Sequence, residues 1–165
     1  MTDLIRLLIE RLDKIRDDGD EKQRDSKRRD FIRNLALREA RFNLDLIAVW
    51  NLKGVSERAE ERLKVLQCLR LSTSELLRTA GILPEEIFEG GAPRAAGNIL
   101  ESADRELDSK QLSEIELFEF STRKIQVLRD LATQGFDVEG LLKSQIRIDN
   151  ISAQLRELIS KIQLN

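Results

Sequence analysis

Near the end of this chain, Ile148, Ile151, Leu155, Leu158 and Ile162 recur at intervals of three, four, three and four. That rhythm puts one aliphatic side chain on the same helix face at every turn, and it does not fit the period-two alternation of a half-buried strand. Ile5, Leu8, Leu12 and Ile15 repeat it near the start, over two heptads. No strand-like alternation and no internal repeat breaks the helical period between these two seams.

The helix limits follow from stop and start residues. The first helix is predicted over 2–17, ended by Asp17-Asp18-Gly19-Asp20, with Asp20 as the next N-cap and Gln23 at the capping-box position. The second is predicted over 21–53, roughly 50 Å long at about 1.5 Å per residue. Its first third is polar. Ile32, Leu35, Phe42, Leu46 and Val49 then form a stripe that Leu44, Ile47 and Trp50 widen. Gly54 ends it and Ser56 caps a third helix whose inner stripe is Ala59, Leu63, Leu66, Leu69, Thr73, Leu76 and Ala80. Ser72 followed by Glu75 predicts a kink or restart, and Gly81 a left-handed C-terminal stop.

Residues 82–94 form the irregular connector and hold both prolines, with Pro84 opening a short helical turn. Further helices are expected over 93–107, over 109–133 and over 137–163, the last capped by Asp137 with Phe136 stapled onto Leu141. Amphipathic helices joined by short turns hide their stripes against one another. The expected fold is therefore all-α: a single domain over 1–165, an antiparallel bundle of four to six helices. The terminal helices 2–17 and 137–163 are free to join the bundle or to meet a partner chain.

The chain has no histidine and no tyrosine. Histidine-dependent triads, the usual catalytic zinc sites and histidine phosphorelays are excluded. No cofactor is expected. Apolar residues make up 41% and charged residues 35%, with a net charge of −2. No global field then draws the chain to nucleic acid or acidic lipid. The single cysteine, Cys68, lies among leucines and reads as a small buried hydrophobe in a reducing, cytoplasmic setting. The densest apolar run, 42–52, is broken by Asn43, Asp45 and Asn51, and is far short of a membrane span.

Charge is unevenly distributed. Lys22, Arg24, Lys27, Arg28, Arg29 and Arg33 outweigh Asp25 and Asp30, and residues 22–33 sum to +4. This stretch is a candidate contact for phosphates or for an acidic protein surface. No aromatic residue interleaves its arginines before Phe31, so nucleic acid is the lesser reading. Residues 85–119 sum to −7, with ten acids against Arg94, Arg105 and Lys110. The two stretches can pair within one chain or between copies.

Further candidates are the apolar seams and the carboxylates. Ile148, Ile151, Leu155, Leu158 and Ile162 read first as a seam packed within the chain, and alternatively as one that receives a partner's helix; Trp50 reads as core at a helix end, and as a hot spot only if it is exposed. Gly90-Gly91-Ala92-Pro93-Arg94 lacks the lysine ending of a phosphate loop and reads as a connector. Glu57-x-x-Glu60 and Glu101-x-x-Asp104 each set two acids on one helix face, a layout able to hold magnesium. It is similar to the layout of the all-α nucleoside triphosphate pyrophosphohydrolases, over four residues. The gap between the pairs is longer than in that family, and no phosphate-gripping constellation follows. The reading that fits best is a non-enzymatic helical module that binds protein and self-associates. The alternatives are a nucleic-acid accessory protein acting through 22–33, and a magnesium-dependent nucleotide hydrolase.

Overall fold

The helical periods are realised as six α-helices in a computed structural model, which describes residues 3–16, 19–52, 58–90, 109–135 and 138–164. They are α1 (Asp3–Arg16), α2 (Glu21–Trp50), α3 (Ala59–Cys68), α4 (Ser72–Ala80), α5 (Glu114–Gln134) and α6 (Val138–Leu164). Single 3₁₀ turns lie at Pro84–Glu86 and Ser109–Gln111. The described residues contain no strand, and the fold is the expected all-α bundle.

Two core clusters show how the chain runs. One gathers Leu12 of α1, Ile32 and Ala36 of α2, Leu76 and Leu77 of α4, Ile87 and Phe88 of the connector, Ile115, Leu117, Phe118 and Phe120 of α5, and Leu158 and Ile162 of α6. The other gathers Ile47 and Trp50, then Leu66 and Leu69, Ile125 and Leu128, and finally Ile148 and Ile151. Helices α2 and α5 pass from the first cluster to the second. Helix α6 passes back, antiparallel to both. Helices α3 and α4, in series, run against α2 as one broken fourth helix, and α1 packs on α2 and α4.

Local chemistry explains the element ends. The Asp20 side chain accepts from the Gln23 amide at 2.9 Å, as the capping pattern predicts. Gly81, at φ +66°, gives the left-handed stop after α4, and the Ile82 amide donates back to the Leu77 carbonyl. Helix α5 starts at Glu114 and not at 109. Ser113 and Glu116 form the capping box, and the Glu116 carboxylate accepts from the Ser113 amide at 2.9 Å. The break before Ser72 is real, but Ser72 is the first helical residue and Leu71 the cap position.

The buried line of α2 differs from the predicted one. It runs through Ile32, Arg33, Ala36, Ala40, Asn43, Ile47 and Trp50, whereas Leu35, Phe42 and Leu46 are half-buried on its flank and Val49 is exposed. Ala36 and Ala40 lie on that buried line, where small side chains let a neighbouring helix approach closely. Leu77, not Ala80, completes the inner face of α4. The predicted helix over 93–107, the caps at Ser56 and Asp137 and the staple at Phe136 involve residues outside the described ones. No helix among the described residues is long and apolar enough to cross a membrane.

Candidate functional site

The basic stretch on α2 meets the acidic stretch within the chain. Three arginines of α2 hold the connector and the start of α5. Arg28 reaches Glu86 at 3.0 Å, and Arg29 reaches Glu89 at 3.4 Å. Arg33 makes a two-pronged pair with Glu114, at 2.6 and 2.9 Å, with Glu114 almost fully buried. The Ile87 carbonyl accepts from both Arg29 and Arg33, at 3.0 and 3.4 Å. Glu114 also accepts from the Glu89 amide, and the Glu89 carbonyl accepts from the Ile115 amide. The connector thus caps α5 while Ile87 and Phe88 enter the core, with Phe88 stacked on Phe118 at 4.4 Å. Gly90 (φ +133°) lies so close to Ser113 that a Cβ there would meet its side chain at 2.5 Å.

The remaining basic residues are more open. Lys22 is exposed, Arg24 donates to the Gly19 carbonyl, and Lys27 is half-buried. Beside them, Ile9, Leu12, Ile15 and Ile82 floor a groove of about 310 Å³. Asp13, Glu21 and Asp25 on its rim balance Arg16, Arg24 and Arg28, so the groove favours neither sign of ligand.

The apolar candidates lie inside. Ile148, Ile151, Leu155, Leu158 and Ile162 are all buried by the chain's own helices, and the seam presents no free face to a partner. Trp50 has no exposed surface. Its Nε1 donates to Gln145 at 2.8 Å and Arg62 stacks over the ring at 4.8 Å, so it anchors the core and is not a surface hot spot. Cys68 is exposed, contrary to the buried position read from its leucine neighbours, because Leu66 and Leu69 take the inward positions beside it. Of the four carboxylates in the magnesium layout, Glu60 is exposed on α3, and Glu57, Glu101 and Asp104 lie outside the described residues.

Two features were missed in the sequence. The first is the outer face of α1, where Leu4 is 47% and Leu7 61% exposed while Ile5 and Leu12 of the same helix are buried. The signal was available: the apolar arc of α1 is wider than one seam needs.

The second is a polar bracket on α2. Asn43 is buried, and its side-chain amide both donates to the Arg70 carbonyl at 3.0 Å and accepts from the Arg70 amide at 2.8 Å. Glu39, half-buried one turn earlier, accepts from the Thr73 amide at 3.0 Å, one of the first donors of α4. Burial pushes the Glu39 carboxyl up to about 7 despite this hydrogen bond. Burial also raises Glu119, with Arg123 pulling against it and Glu85 adding to it. Asn43→Ala strands both backbone groups of Arg70. It is expected to lower stability by about 2–3 kcal/mol, read as a lower urea midpoint at unchanged slope.

No family model, no curated protein and no solved structure matches this chain.

Proposed function

We propose that this chain acts by binding protein, and that its partner is a second copy docked on the outward face of α1. The observation that carries this reading is the exposure of Leu4 and Leu7 on a helix whose inner face is already satisfied. Charge supports a copy as the occupant. Asp3 lies in the first turn of α1, and Arg11 and Lys14 lie in its second half. Two α1 helices crossing antiparallel about Leu7 set Asp3 of each copy opposite Arg11 of the other, a self-complementary twofold arrangement. Two leucines per copy make a small contact, in the transient class below about 1,200 Å². Association therefore depends on concentration.

Internal pairing of Arg28, Arg29 and Arg33 supports protein contact over nucleic-acid binding, because these cations already hold acceptors. The exposed thiol of Cys68 favours a reducing, cytoplasmic compartment.

Light scattering coupled to size-exclusion chromatography tests the reading. The native chain is expected to rise toward twice its 19.0 kDa mass with concentration. The variant carrying Leu4→Ser and Leu7→Ser is expected to stay at single mass while losing no more than about 0.5 kcal/mol of stability per site. A native chain that remains at single mass at the highest concentration reached overturns it.

A further inference from the structure

The arginines of α2 fall into two groups. Arg28, Arg29 and Arg33 hold carboxylates of the same chain. Arg38 and Arg41, further along, are exposed and form no ion pair among the described residues. Arg41 and Phe42 lie three and four residues after Arg38, so the three side chains share one face of the helix. Arg70, from the break between α3 and α4, joins them there. It is exposed too, and its guanidinium lies over the Phe42 ring at 3.7 Å, with no ion pair among the described residues.

Arg70 is held at both ends. Asn43 donates to its carbonyl at 3.0 Å and accepts from its amide at 2.8 Å, and the half-buried Phe42 ring supports its guanidinium. A guanidinium stacked on a ring keeps its N–H groups in its own plane, where an acceptor at the edge can reach them. On α2, the acids beside these cations are Glu39 and Asp45. Glu39 is half-buried with its carboxylate on the Thr73 amide, which leaves Asp45 as the exposed acid against three exposed arginines.

We propose that Arg38, Arg41 and Arg70, gathered about Phe42, form a second docking surface whose occupant is an acidic segment of a partner protein. Charge complementarity selects that occupant. Carboxylates pair two-pronged with guanidinium edges, and the aliphatic stems of Arg38 and Arg41 add apolar contact beside the Phe42 ring. Single-stranded nucleic acid fits less well, because Arg70 covers the ring face on which a base would stack. Exposed pairs of this kind set orientation and encounter rate, and the contact weakens with salt. Leu4 and Leu7 take no part in it, so this surface and the α1 contact fail separately.

Fluorescence anisotropy at low ionic strength tests the surface with three labelled probes: oligoglutamate, oligoglutamine and oligothymidylate. The native chain is expected to bind oligoglutamate, to ignore oligoglutamine, and to bind oligothymidylate more weakly than oligoglutamate. The variant carrying Arg38→Gln, Arg41→Gln and Arg70→Gln is expected to lose about tenfold in affinity for oligoglutamate. A control carrying Arg58→Gln, Arg123→Gln and Arg156→Gln removes the same charge from exposed positions elsewhere, and is expected to stay within about twofold of native. The variant carrying Leu4→Ser and Leu7→Ser is expected to bind as the native chain does. If the first triple variant does not fold, Arg38→Gln with Arg41→Gln, which leaves the stacked Arg70 in place, is compared with Arg58→Gln with Arg123→Gln instead. Three results overturn the proposal: no binding of oligoglutamate by the native chain, equal losses in the patch variant and its control, or tighter binding of oligothymidylate than of oligoglutamate.

Discussion

Glu114→Ala is expected to cost about 3–5 kcal/mol, a large share of the roughly 5–15 kcal/mol that holds a domain of this kind folded. The loss comes from what stays behind. Arg33 remains buried with its carboxylate partner gone and, among the described residues, only the Ile87 carbonyl, at 3.4 Å, as an acceptor. The Glu89 amide loses its acceptor too, and α5 loses a negative charge in its first turn. Replacing both partners, Arg33→Met with Glu114→Leu, removes the stranded charge and is expected to recover most of the deficit. Guanidinium unfolding of Arg33→Met, Glu114→Leu and the double variant closes the cycle, with Glu114→Ala measured beside them. A single-variant loss below about 1 kcal/mol would contradict the buried pair.

Trp50→Ala is expected to cost a similar 3–5 kcal/mol, for a different reason. The ring is fully buried where α2, α3 and α6 converge, and its deletion leaves a cavity that rigid helices close only in part. Gln145 loses the indole donor, and the Arg62 guanidinium loses the ring beneath it. Trp50→Phe keeps most of the volume and is expected to lose about half as much. Thermal unfolding followed by far-ultraviolet circular dichroism separates the three proteins. Equal stabilities would place Trp50 at the surface, as the hot-spot reading requires.

Helix positions were legible in the sequence because period and caps are local properties. Ile148 to Ile162 declared their face by spacing alone, and Asp20 and Gly81 act where their chemistry places them. The interior of α2 was not legible. Its buried line contains Arg33 and Asn43, whose burial depends on Glu114 and Arg70, far along the chain. The opposed charges of 22–33 and 85–119 were visible, but whether they met within one chain depended on where the connector lay. The Glu39 bracket was hidden for the same reason, since its acceptor role needs a helix end supplied from 34 residues away. The outer face of α1 was not legible from the seam, because Leu4 and Leu7 lie outside Ile5, Leu8, Leu12 and Ile15 and spacing alone does not say which apolar residues stay uncovered.

Disulfide trapping tests the α1 contact most directly. With Cys68→Ser removing the native thiol, Leu7→Cys puts one sulfur near the proposed twofold axis. Mild oxidation is expected to give a covalent species of twice the 19.0 kDa chain mass, whereas Gln126→Cys, exposed on α5, gives none. No covalent species from Leu7→Cys, or equal yields from both positions, would contradict the contact.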